Sequence, residues 1–306
     1  MRRSRSVSLA TTVGDLALSS CVMTAAGTSG HADELAAYGP LARLGAVVVK
    51  SLSAAPWPGN PAPRLAPLET GMLNSVGLQG PGLEAWLVED LPRLRASGAT
   101  VVVSIWGRSL EEYRQAGALL AGHDVDAVEI NVSCPNLEDS SRMFAHSARA
   151  TAAVVAAVEL ELPRWVKLSP NTPELTDIAA AAMEAGADAL VVANTVLGMV
   201  IDVERRQPAL GGGGGGLSGP AIHPVAVRAV FECHRALPDA PIIGVGGVQC
   251  GVDAIEMLQA GASAVQVGTA TLAEPRAPWR IMREIEAWLR AHDVEAVTEL
   301  VGVAHG

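Results

Sequence analysis

Eight short, almost continuously apolar runs recur along this chain, at residues 21–24, 46–50, 100–105, 125–132, 164–168, 188–193, 241–245 and 263–268. Runs without polar alternation suit strands buried on both faces, the condition of a parallel sheet covered by helices. The intervening segments carry helical periodicity, at 109–120, 147–161, 174–185, 224–236 and 252–259. Gly98, Gly186 and Gly261 stand just before three of the runs, where a helix closes through a left-handed residue. Eight strands alternating with helices over 306 residues predict an α/β fold, a (β/α)8 barrel, with a doubly wound open sheet as the alternative. No linker divides residues 1–306, so one domain is expected. The proline- and glycine-rich stretch 53–82 predicts an extended insertion after strand 2 covering the C-terminal face. The six glycines at 211–216 read mostly as a flexible loop, with Ser218 and Gly219 placed to bring backbone N–H groups to a ligand.

Bulk properties narrow the function classes. A net charge of -10 gives nucleic acid or an anionic membrane surface nothing to gain from counterion release. No apolar run reaches membrane-spanning length. The start Met1-Arg2-Arg3-Ser4-Arg5 leads into no clean apolar region, so no signal peptide and a cytoplasmic location are expected. Cys21, Cys134, Cys233 and Cys250 are widely spaced, which fits a reducing compartment and offers no zinc or iron–sulfur ligand pattern. The histidines show no paired metal spacing and are expected mainly at exposed or helix-capping positions, so no metal is expected.

Candidate chemistry collects at the ends of the apolar runs, because a barrel carries its active site at the C-terminal ends of its strands. The fourth run ends in Asn131-Val132-Ser133-Cys134-Pro135-Asn136, a thiol between asparagine amides in a proline-stiffened loop. Cys134 there can take or give a proton, and Asn131 and Asn136 can grip a flat polar ligand. The second feature is lysine usage: of 22 cationic residues only Lys50 and Lys167 are lysine, and each closes an apolar run. Arginine's wide, permanently charged fork cannot replace a compact ammonium that fits beside a ligand atom. Gly246-Gly247 and Gly268-Thr269 follow the last two runs, where such barrels hold a phosphate on backbone N–H groups. A phosphate site, two lysines and a proton-transferring thiol together suggest flavin mononucleotide (FMN), with Lys167 stabilising the charge of the reduced ring.

Several motifs resemble the class 1 dihydroorotate dehydrogenases. They are Asn131-x-Ser133-Cys134-Pro135-Asn136, Val49-Lys50-Ser51, Gly71-Met72-Leu73-Asn74-Ser75-Val76-Gly77-Leu78-Gln79 and Lys167-Leu168-Ser169-Pro170-Asn171. Ala193-Asn194-Thr195, Gly216-Leu217-Ser218-Gly219-Pro220 and Val265-Gln266-Val267-Gly268-Thr269 complete the set. The wording at 71–79 and 193–222 is closest to the class 1B, NAD-linked catalytic subunit.

The resemblance implies a TIM barrel that oxidises dihydroorotate to orotate in pyrimidine biosynthesis with FMN. It implies Cys134 as the base that removes the C5 proton. Lys50, Asn74, Ser75, Val76, Gly77, Leu78, Asn131, Asn136, Asn194 and Thr195 would hold the substrate. Ala26, Lys50, Ser51, Ser104, Asn131, Lys167, Ala193, Gly219, Gly246, Gly247, Gly268 and Thr269 would bind FMN. It further implies a homodimer and an electron-transfer subunit carrying FAD and an iron–sulfur cluster, which this chain has no motif to house.

The chain departs from the family pattern at Ala26 (usually serine), Ser104 (usually asparagine), the lid residues Leu137 to Ser141, and His223 (commonly lysine). Two alternatives keep the barrel: a flavin-dependent reductase of a related dihydropyrimidine, and a phosphate-binding enzyme without redox chemistry.

Overall fold

The computed structural model describes residues 6–133 and 143–306. All eight apolar runs form strands: β1 Val22–Thr24, β2 Val47–Val48, β3 Val101–Ile105, β4 Ala127–Asn131, β5 Arg164–Lys167, β6 Ala189–Val192, β7 Ile242–Val245 and β8 Ala264–Val267. They pair in parallel in the order β1-β8-β7-β6-β5-β4-β3-β2. The ring closes between β1 and β2 through Gly45 N–H to Val22 O at 2.8 Å and Thr24 N–H to Ala46 O at 3.2 Å. The Thr24 hydroxyl finishes the seam, accepting from Val48 N–H at 2.9 Å, so a side chain substitutes for a ladder bond. The architecture is therefore the (β/α)8 barrel rather than the open sheet.

Helices α1 Leu83–Glu89 and α2 Leu91–Ala96 follow β2, and α3 Leu110–Leu120 follows β3. Next come α4 Ala148–Ala157, α5 Leu175–Glu184, α6 His223–Ala236 and α7 Gly251–Gln259 after β4 to β7. The short α8 Thr269–Ala273 and α9 Ala277–Ala291 follow β8. Ser109 and Ser147 start α3 and α4 by accepting from the N–H groups of Glu112 and Ala150. Gly98, Gly186 and Gly261 have φ of 74°, 96° and 118°, the backbone their placement predicts. Helix α4 ends at Ala157, short of residue 161, and Pro163 disfavours helical backbone at Leu162 on the way into β5.

Two apolar volumes hold the fold. One lies between strands and helices and includes Trp86, Tyr113 and Ile285. The other fills the barrel with Met23, Val48, Val102, Trp165, Val191, Ile243 and Val245. Truncating a fully buried Trp165 to alanine would cost about 3–5 kcal/mol. The hairpin of Thr11–Val13 and Leu16–Leu18 sends Val13 and Leu18 into this inner volume, with Thr11 Oγ1 donating to Ser263 O at 2.9 Å just before β8. It closes the N-terminal end.

At the other end, Leu65–Leu68 and Gly71–Asn74 form a hairpin within the 53–82 insertion. Gly71–Asn74 pairs with Gly215–Ser218, which pairs with Val196–Gly198, giving a four-stranded antiparallel sheet. The glycine run is thus mostly not a flexible loop. Gly215 and Gly216 are strand residues, and Gly211 N–H donates to Pro63 O at 2.8 Å. A Cβ on Gly211, Gly212, Gly215 or Gly216 would overlap Pro61 O, Ser75 Oγ, Asn74 O or Thr195 Oγ1 respectively. Close packing, rather than flexibility, demands glycine at these four positions; Gly213 alone faces open space. Among the described residues no helix is long and apolar enough to cross a membrane.

Candidate active site

The C-terminal exits of the strands bring the candidate residues to one mouth. After β2, Val49 N–H still donates to Val102 O, but the ladder resumes only at Leu52, whose N–H donates to Ser104 O. Lys50 and Ser51 are expelled between these bonds, with Lys50 N–H turned aside to Gly30 O. Lys50 Nζ lies 3.5 Å from Gln79 Oε1 in the insertion. Burial, and then the nearby Arg64 guanidinium, hold the Lys50 amine below the usual lysine range. Ser51 Oγ is 2.8 Å from Ser104 Oγ, so the serine at 104 makes a direct link to the β2 exit.

Asn131 ends β4 and Asn194 follows β6. The Asn194 carboxamide donates to Asn131 Oδ1 at 3.3 Å, and Ser133 N–H donates to the same oxygen at 3.1 Å. Tyr113 Oη, from α3, donates to Asn131 O at 2.7 Å and fixes the backbone there. Asn194 Oδ1 in turn accepts from Thr195 N–H at 2.8 Å, and Asn171 donates its amide to Thr195 O at 2.9 Å. Asn74 donates to Gly216 O at 3.1 Å, placing the insertion strand beside Thr195, on which Gly216 packs. Ser75 Oγ accepts from Asn60 Nδ2 at 2.8 Å, and Val76 O accepts from Asn60 N–H at 3.1 Å. The turn after them carries Gly77 at φ 70° and, less usually for a leucine, Leu78 at φ 60°. Cys134, Asn136 and the lid positions Leu137 to Ser141 lie outside the described residues.

At the exits of β7 and β8 and the end of the glycine strand, the glycines form a cradle. A Cβ on Gly219 would lie 2.7 Å from Gly71 Cα, one on Gly246 2.6 Å from Ala226 Cβ, and one on Gly247 2.6 Å from His223 Cβ. Gly219, Gly246 and Gly247 have φ of 96°, 137° and 70°, which side chains rarely tolerate. Among the described residues, the N–H groups of Gly219, Gly247, Gly268 and Thr269 find no backbone acceptor. Thr269 Oγ1 donates to Ser218 Oγ at 2.8 Å, tying the β8 exit to the glycine strand. Ala193 N–H donates to Val245 O just before the cradle, while Ala26 follows Ala25, which packs beside Gly268. Contrary to the expectation for histidines in general, His223 is buried: Nδ1 lies 2.9 Å from Gly246 O and Nε2 3.1 Å from Glu256 Oε2. It braces the turn that carries the cradle.

Lys167 closes β5 beneath this mouth, 5 % exposed, with Nζ 3.6 Å from Glu129 Oε1. Glu129 was not among the expected site residues, and its partner Gln266 stood in a quoted motif without a role. Their signal was a polar residue inside an apolar run, in phase with residues already selected: Glu129 two before Asn131, Gln266 two before Gly268.

Free backbone donors in a cradle too tight for side chains suit a phosphate, and a buried ammonium suits a ring that gains negative charge. The residues present therefore fit FMN. Fold and site together define a (β/α)8 barrel whose mouth carries backbone donors suited to an anionic group. The family model for dihydroorotate dehydrogenase matches residues 8–289, and the chain belongs to that family. It is 46% identical over 302 residues, 98% of each chain, to the dihydroorotate dehydrogenase B (NAD(+)) catalytic subunit of Desulforudis audaxviator strain MP104C. Proteins of the same name from Geobacter sp. strain M21 and Alkaliphilus metalliredigens strain QYMF are 45% and 42% identical, over 92% and 97% of this chain and 93% and 98% of theirs.

Proposed function

We propose that this chain is the catalytic subunit of an NAD-linked dihydroorotate dehydrogenase, oxidising dihydroorotate to orotate with FMN in pyrimidine biosynthesis. The observation that carries the reading is that two sets of groups share the C-terminal end of one barrel. The glycine cradle with Lys167 suits a flavin nucleotide, and the Asn131–Asn194 pair with Lys50 suits a planar carboxylate-bearing ring. Full-length similarity to relatives of that name supports it.

Bound there, FMN supplies the hydride acceptor. Gly219, Gly246, Gly247, Gly268 and Thr269 hold its phosphate through backbone N–H groups. Ala26, Ser51, Ser104, Asn131, Ala193 and Lys167 line its ring. Lys50 pairs with the substrate carboxylate, while Asn74, Asn131, Asn136, Asn194 and Thr195 hydrogen-bond the planar ring and so orient its C5 proton towards Cys134. The backbone of Ser75, Val76, Gly77 and Leu78 forms the roof, with the insertion excluding water. Cys134 takes the C5 proton as the hydride leaves C6, which balances the two-electron oxidation.

The whole chain acts as one FMN-binding unit, assembled as a cytoplasmic homodimer. The second subunit, carrying FAD and an iron–sulfur cluster, passes the electrons to NAD. The purified chain, tested with dihydroorotate against a dye, fumarate and NAD, is expected to reduce the dye. Rapid NAD reduction by this chain alone would refute the two-subunit reading.

A further inference from the structure

The barrel interior is apolar apart from a band just beneath the mouth. There Glu129 is fully buried, the only buried carboxylate among the described residues. A buried charge survives only where partners replace its water. Glu129 has three: Lys167 Nζ at 3.6 Å from Oε1, Ser104 Oγ at 3.3 Å from the same oxygen, and Gln266 Nε2 at 2.7 Å from Oε2. Strands β3, β4, β5 and β8 thereby converge on one carboxylate.

An ionised carboxylate only accepts hydrogen bonds, which gives the network a direction. Ser104 donates its hydrogen to Glu129 and so accepts from Ser51 across 2.8 Å. Ser51 then has no hydrogen left for a ligand and presents oxygen lone pairs to it. Lys167 has no other carboxylate paired with it among the described residues.

We propose that Glu129 is a positioning residue of the flavin site, pinning the Lys167 ammonium beneath the ring and setting the hydrogen-bond direction of Ser51 through Ser104. The proposal rests on the reading that FMN occupies this mouth.

Because the chain has two lysines, selective 13Cε labelling gives one signal for Lys50 and one for Lys167. The FMN-free chain then tests the lysine contact without any assumption about flavin. In Glu129→Gln the Lys167 signal should move while that of Lys50 stays. An unmoved Lys167 signal overturns the proposal even if FMN binding is normal.

In the FMN-loaded variant, the Lys167 ammonium loses the carboxylate contact that pins it beneath the ring. The charge on the reduced ring then loses its partner, and the two-electron potential should fall by at least a tenfold change in the oxidised-to-reduced ratio, about 30 mV. A raised or unchanged potential overturns the proposal. Failure of both parent and variant to bind FMN would instead refute the flavin reading and leave the lysine result standing.

Should Glu129→Gln not fold, Lys167→Met supplies the reverse test, since it strands the carboxylate. Its thermal midpoint should fall, and adding Glu129→Gln should recover at least half of the loss. No recovery counts against the pairing.

Discussion

Asn194 Nδ2 donates to Asn131 Oδ1 across 3.3 Å, joining the exits of two barrel strands that are not neighbours in the sheet. Because Asn131 Oδ1 also accepts from Ser133 N–H, the orientation of its carboxamide is set before any ligand arrives. A preset clamp lowers the ordering cost of binding a flat ring.

Asn194→Ala therefore should weaken orotate binding by roughly 5- to 150-fold, the equivalent of about 1–3 kcal/mol for an unpaired polar partner. FMN content should stay unchanged. Titration of the flavin spectrum with orotate reads both quantities together.

The glycine run gives a contrast within a few residues. Gly216→Ala forces a Cβ into Thr195 Oγ1, so it should disorder the clamp and raise the KM for dihydroorotate at least tenfold. Gly214→Ala meets its nearest neighbour, Gly198 O, at 3.3 Å and should leave KM within about twofold, since a small shift relieves it. Steady-state kinetics on the two variants separates tight packing from simple flexibility.

How much of this was legible in the sequence depends on whether a residue's role is local. Buried parallel strands are continuous apolar runs whatever surrounds them, and all eight were readable. The caps at Ser109 and Gly186 are equally local. The glycine strand was not, because Gly215 and Gly216 are strand residues only by virtue of Leu197 and Gly198 on one side and the remote Asn74 on the other. The roles of Glu129 and Gln266 were not legible either, since a polar residue in an apolar run declares its purpose only once closure of the barrel brings 137 residues of separation down to 2.7 Å.

Lysine 50 carries a pH prediction. Burial and Arg64 both favour its neutral form, whereas pairing with a carboxylate needs the ammonium. Orotate binding should therefore weaken on the alkaline side at a lower pH than an ordinary lysine would give. Arg64→Gln removes one of the two causes and should move that limb to higher pH; a limb that moves down or stays would exclude Lys50 as the carboxylate partner.

Thiol labelling distinguishes Cys134 from the other cysteines. Burial pushes the Cys21 and Cys233 thiols up to about 12, so at pH 8 roughly one in ten thousand is thiolate and neither should react with iodoacetamide. Labelling should fall on Cys134 and the half-buried Cys250. Orotate should protect Cys134 and leave Cys250 reactive, as peptide mass mapping would record.

The account stands most directly on one anaerobic stopped-flow experiment, following flavin absorbance after the FMN-loaded chain is mixed with dihydroorotate. The expected result is rapid bleaching in the parent chain and bleaching slowed about 100- to 10,000-fold in Cys134→Ala, the usual worth of a proton-transfer group. A parent chain that takes up no FMN, or whose flavin is not bleached by dihydroorotate, would contradict the proposed activity. Equal rates in parent and variant would remove Cys134 as the base.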